Sequence, residues 1–131
     1  RIISHGKTFT MTDDSVYEGN ESAVIVISSV SDGAYENGDQ SVDFRIDENE
    51  SVPTITLATS ASTIDENSSS TVTLTATSSV AASSDITVTL ATTGTGTDGT
   101  DYSAVNGITI TITAGATTGT KTFTITDDSV Y

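Results

Sequence analysis

Asp13-Asp14-Ser15-Val16-Tyr17-Glu18-Gly19-Asn20-Glu21 places four carboxylates in nine residues, directly after the alternating run Phe9-Thr10-Met11-Thr12. Alternation of this kind has the period of a strand, so the stretch reads as a strand that ends in a cluster of hard oxygen donors. A near copy closes the chain. Lys121 to Tyr131 repeats Lys7 to Tyr17 at 10 of 11 positions, with Ile125 in place of Met11. The copies lie 114 residues apart, too far for a solenoid repeat and about the size of one small domain. The spacing predicts a window cut from a tandem array, beginning late in one repeat and stopping late in the next.

Composition narrows the class. The chain has 131 residues, 34% of them apolar, with no Trp and seven aromatics, enough for one thin core. Thr and Ser dominate the rest, and Thr suits strands because its β-branch fits a pleated surface while its hydroxyl tolerates water. Eighteen acids against four bases give a formal charge of −14, so there is no basic surface for nucleic acid or for an anionic membrane. Such acidity in a foldable chain points either to a halophilic surface or to cation binding, and here a large share of the carboxylates is clustered. The absence of cysteine removes disulfides, thiolate metal sites and a Cys nucleophile together. No apolar run approaches the roughly 18 residues of a membrane span, so no membrane insertion is expected, and any targeting signal would lie outside this window.

Along the chain every periodic stretch is strand-like. Strands are expected over Lys7–Thr12, over Ser22–Val30 with Ala23, Ile25 and Ile27 on one side and Val24 and Val26 on the other, and over Gln40–Ile46 with Val42, Phe44 and Ile46 inward. Asp32-Gly33 and Asn37-Gly38 supply the positive φ of a hairpin connection, with Asp32, Glu36 and Asp39 at its exposed tip. Asp47 to Pro53, an acidic junction with the one proline, marks the boundary. Residues 1–50 then form the C-terminal half of one repeat, and residues 51–131 the N-terminal half to two-thirds of the next. Further strands are expected over Thr54–Ser60, Ser70–Ser78, Asp85–Thr93, around Ile108, Ile110 and Ile112, and over Lys121–Thr126. Thr92 to Asn106 is a glycine-rich loop holding Asp98, Asp101 and Tyr102. Short strands separated by turn signals predict an all-β, immunoglobulin-like antiparallel β-sandwich.

Several of these pieces, taken in order, resemble the Calx-beta domain family, first described in sodium-calcium exchangers and widespread in bacterial surface proteins. They are Thr100-Asp101-Tyr102, the Ile-rich strand, the turn Ala114 to Ala116, Phe123-Thr-Ile-Thr-Asp-Asp128, and Asp13-Asp14-Ser15-Val16-Tyr17-Glu18-Gly19-Asn20-Glu21. The resemblance implies calcium at one tip of the sandwich, held by acids from separate loops. In the first repeat the implied ligands are Asp13, Asp14, the carbonyl of Val16, Glu18 and Glu21, joined by Asp47, Glu48 and Glu50 at the exit of the last strand. In the second they are Glu66, Asp101, Asp127, Asp128 and the carbonyl of Val130.

The donor chemistry agrees independently. Calcium takes six to eight oxygens in a loose geometry, magnesium demands a stricter octahedron, and zinc wants nitrogen or sulfur, for which the chain offers His5 alone. Without a cation, carboxylates about 4 Å apart repel by roughly 4 kcal/mol at an effective dielectric near 20, so the tip should be loose until calcium orders it. Taken alone, an Asp-Asp pair after a strand is often only a solvated turn. Tyr17, Tyr102 and Tyr131 read as packing anchors at loop bases. No nucleophile–base pair is present, so no enzyme is expected.

The two parts are joined late-then-early. Closing one sandwich within the chain would require Asp47 to Pro53 to run roughly 20 Å nearly straight. The expectation is therefore that each part is completed by a neighbouring copy, along a longer polypeptide or between subunits of a filament. The functional expectation is a secreted or cell-surface repeat, stiffened by calcium, that acts as spacer, adhesin stalk or filament module, with an unidentified cell-surface ligand as a further partner. A calcium-sensing regulatory module of a membrane protein and a carbohydrate-binding module are the alternatives, the latter disfavoured by the lack of Trp.

Overall fold

The computed structural model describes residues 6–66 and 69–127, and it is all-β. Its strands are β1 (Val16–Tyr17), β2 (Glu21–Val26), β3 (Ser41–Ile46), β4 (Ile55–Thr59), β5 (Thr71–Ser78), β6 (Ala81–Ala82), β7 (Ile86–Thr89), β8 (Thr109–Ile112) and β9 (Thr118–Thr124).

Two of the sheets enclose the core. β4, β5 and β9 pair antiparallel in that order, and β7 pairs antiparallel with β8. Alternation decides what each contributes. On β5, Val72 and Ala76 are buried while Thr71 is exposed; on β8, Ile110 and Ile112 are each 1% exposed while Thr109 and Thr111 face water. Ala76, Leu90, Val105, Ile110 and Ile112 form the centre, with Leu74, Val88, Tyr102 and Phe123 packed around it. Tyr102 meets Phe123 edge-on at 6.0 Å, the anchoring part expected of it. At Gly119 the β9 backbone passes so close to β8 that an added Cβ would strike the Thr111 carbonyl and the Ile110 side chain, which is why glycine stands inside a strand there.

The first fifty residues are arranged otherwise. β2 and β3 form a separate antiparallel hairpin, in register from Glu21↔Ile46 to Val26↔Ser41. β1 pairs parallel with β6, Val16 opposite Ala81 and Tyr17 opposite Ala82, and the Ser83 amide donates to the Tyr17 carbonyl at 3.0 Å. That parallel pair is an addition to the antiparallel plan expected of the sequence.

Three local expectations are corrected. Residues 7–12 are not a strand, although their counterpart is β9: β9 has β5 beside it, and among the described residues no strand pairs with residues 7–12. The second strand ends at Val26 because the pairing with β3 stops at Val26↔Ser41. The expected cover on both of its faces is not found among the described residues: Val24, Ile25 and Val26 are at least half exposed and Val42, expected inward on the partner strand, is 65% exposed, although Phe9 stacks on Phe44.

Candidate metal centre

The acidic stretch that opens the sequence is held at the base of the hairpin by two anchors. On one side, β1 is pinned to β6. On the other, Glu21↔Ile46 is the first hairpin pair, which sets residues 13–21 beside residues 46–50. Gly19 turns the chain between the anchors with φ of 81°, a conformation suited to glycine.

Glu48 organises the loop. Its Oε2 accepts the backbone N–H groups of Glu18 and Gly19, both at 2.6 Å, and its Oε1 accepts those of Asn49 at 3.0 Å and Glu50 at 2.9 Å. Four donors on one carboxylate hold its charge in place, and the backbone bonds from Glu50 and Glu18 bring the Glu48 carboxyl from its ordinary 4.5 down to about 2. Two amides complete the clamp: Asn20 Oδ1 accepts from the Glu48 N–H at 2.9 Å, and Asn49 Nδ2 donates to Asp13 Oδ1 at 2.9 Å. Asp14 Oδ1 caps its own turn by accepting from the Val16 N–H at 2.8 Å.

Around this clamp lies a concavity of about 60 Å³, bordered by Asp13, Asp14, Val16, Glu18, Glu21, Asp47, Glu48 and Glu50. Every first-repeat residue implied as a ligand lines it. The neighbours interact electrostatically. Glu21 and then Asp14 push the Glu18 carboxyl above its ordinary value, and the bond to Glu48, followed by desolvation, does the same for Glu50. Asp47 is turned partly outward by an exposed ion pair, with Arg45 Nε donating to its Oδ1 at 2.6 Å. Among the described residues no three acidic, His or Cys groups stand close enough to form a ready-made cage. Glu18 is repelled by Glu21, Asp14 and Glu48, and N–H bonds occupy both Glu48 oxygens.

The second-repeat candidates gather at the other end of β5. Thr124 lies opposite Thr71, the Ile125 N–H donates to Ser70 O, Tyr102 bridges to Ile125, and the Thr126 N–H donates to Asp101 O at 2.9 Å. The backbone thus sets Asp101 beside the segment that carries Asp127, while Glu66 stands in the stretch leading to Ser70. Asp101 also ties its own loop, with Oδ2 accepting from the Thr97 N–H at 2.6 Å. Asp128, Val130, Tyr131 and His5 lie outside the described residues. β6, which anchors the first acid group, follows the opposite end of β5, where Ile55 faces Ser78. An eight-residue strand spans roughly 25 Å, so two separate acid groups stand at opposite ends of one sandwich.

The chain matches the family model of the Calx-beta domain over residues 7–43 and 47–131. It belongs to that family. No curated protein and no solved structure matches the chain. Calx-beta domains are associated with calcium, and the donors of this Calx-beta chain suit that ion: carboxylates and carbonyls, with no thiolate. The residues that could supply those donors are Asp13, Asp14, the Val16 carbonyl, Glu18, Glu21, Asp47, Glu48 and Glu50, all of which border the concavity. Asn20 and Asn49 emerge as functional residues only from the structure, although Glu18-Gly-Asn-Glu21 and Asp47-Glu-Asn-Glu50 both set an Asn among acids, the residue that ties turns through its side chain.

Proposed function

We propose that this chain is a calcium-binding structural module of a secreted or cell-surface protein, non-catalytic, working as a rigid spacer, adhesin stalk or filament unit among neighbouring copies of its own repeat. The observation that carries the reading is the convergence of residues 13–21 and 46–50 on one concavity, bordered by seven carboxyl side chains immediately before the junction into β4. A cation there neutralises groups that otherwise repel, and draws the loop before β1 toward the segment that leaves β3. The joint between hairpin and sandwich becomes stiff as a result. Among the described residues no helix is long and apolar enough to cross a membrane.

The experiment is calcium titration by calorimetry, followed by thermal melting and small-angle scattering with calcium and with chelator. The reading expects saturable binding, a higher melting temperature and a longer maximum dimension with calcium, and magnesium at equal concentration should do much less. Binding without any change in dimension would remove the stiffening role. No binding would return the acid groups to a solvated surface.

A further inference from the structure

The β2–β3 hairpin carries an apolar face with little over it. Ala23 lies opposite Phe44 and Ile25 opposite Val42, so these four side chains share one face, and Phe9 stacks on Phe44 with ring centroids 5.2 Å apart. Val42 remains 65% exposed and Ile25 50%, and on the reverse face Val26 is 61% exposed. On the Phe44 face Phe9, Ile25, Ile27 and Val42 together expose on the order of 400 Å², within the range of the largest apolar patch on a typical monomer and about half of the ~800 Å² that each partner buries in a stable interface.

The sandwich has a matching opening. Leu57, Leu74, Leu90, Tyr102, Val105 and Phe123 line a mainly apolar groove of about 460 Å³. Among the described residues β7 pairs with β8 alone, and the chain that leaves β7, Leu90 to Thr93, lines this groove; the other edge of β7 and the outer edges of the hairpin are free to pair. The internal repeat identifies what fits. Phe123 is the counterpart of Phe9, and the ring that packs against Phe9 is Phe44 of the hairpin. Among the described residues of one molecule the hairpin pairs with no strand of the sandwich and is joined to it through β1–β6 and the junction into β4.

We propose that the β2–β3 hairpin of one molecule inserts into the groove of a second copy, with Phe44 against Phe123 and a hairpin edge strand running along the free edge of β7. Hairpin and groove are different surfaces, so the contact is head-to-tail and extends into a filament unless its rotation closes a ring. The proposal rests on neighbouring copies being partners, as in the function above, but not on calcium.

Sedimentation of the whole chain in chelator, over a wide concentration range, tests it. The wild type should self-associate. Ile25→Lys with Val42→Lys on the exposed hairpin, or Leu57→Lys at the half-exposed lip of the groove, should each weaken association by about tenfold or more while leaving the sandwich's melting transition in place. Mixing the two variants should restore a capped one-to-one complex, because one retains an intact groove and the other an intact hairpin. A disulfide between Ile25→Cys and Leu57→Cys should form between chains. A wild type that stays monomeric, a disulfide that forms within one chain, or association indifferent to both sets of substitutions would overturn the proposal. Calcium binding measured on the same variants reads the other hypothesis separately, since neither set touches the acid groups.

Discussion

Glu48 illustrates how one carboxylate can order an acidic loop through backbone amides. Its two oxygens take the amides of Glu18, Gly19, Asn49 and Glu50, so Glu48→Ala should speed hydrogen exchange at all four amides in chelator, measured by NMR, while β5 and β8 amides stay protected. The same bonds set a pH dependence. A carboxyl lowered from 4.5 to about 2 contributes order that is complete above 4.5 and is lost as the pH falls toward 2. Glu18 and Glu50 act in the opposite sense: their raised values mean that ionisation at neutral pH works against the loop, and that this penalty is relieved as the pH falls through their folded values. Carboxyl-carbon NMR titration in chelator should find Glu48 titrating lowest, with Glu18 and Glu50 above ordinary glutamates. Calcium should bring both of the latter down. Equal values for the three would contradict the clamp. Glu48 was legible in the sequence only as one more acid, since its four amide donors come from both sides of a thirty-residue gap.

At the scale of elements, the two copies of Lys-Thr-Phe-Thr form a natural experiment. Around Phe123 the sequence is a strand paired with β5, and around Phe9 it is not paired at all. Phe123→Ala should therefore destabilise the sandwich by roughly 2 kcal/mol or more, since the ring packs against the core, and Phe9→Ala by less than about 1 kcal/mol. Equal losses on chemical denaturation would mean that the hairpin and sandwich unfold as one. Gly119→Val belongs to the same scale. Its side chain would meet the Thr111 carbonyl, a backbone atom that cannot swing away, and overpacking of this kind costs about 1–3 kcal/mol. The melting temperature should fall by about 4–8 °C for each kcal/mol lost. The sequence shows Gly119 inside an alternating run but gives no sign of the approaching strand.

Over the whole molecule, acid groups at the two ends of β5 should act independently, because roughly 25 Å lies well beyond a Debye length of about 8 Å. Asp13→Asn with Asp14→Asn should remove the calcium bound at the hairpin end, seen as reduced calorimetric stoichiometry, without moving the sandwich's melting temperature in chelator. A loss of all binding would mean that the ends are coupled. The alternation of Val72, Leu74 and Ala76, and of Ile108, Ile110 and Ile112, was enough to identify strands and their buried faces, because side chains on a pleated backbone alternate whatever surrounds them. The clustering of acids around Asp13-Asp14 and Asp47-Glu48 was likewise visible as composition. What the tertiary structure decided was pairing: that β1 lies on β6, that the hairpin stands outside the sandwich, and that ten identical residues in eleven begin with a paired strand in one copy and an unpaired segment in the other. A strand satisfies half its backbone hydrogen bonds from a neighbour distant in sequence, so its own residues set only a readiness to pair.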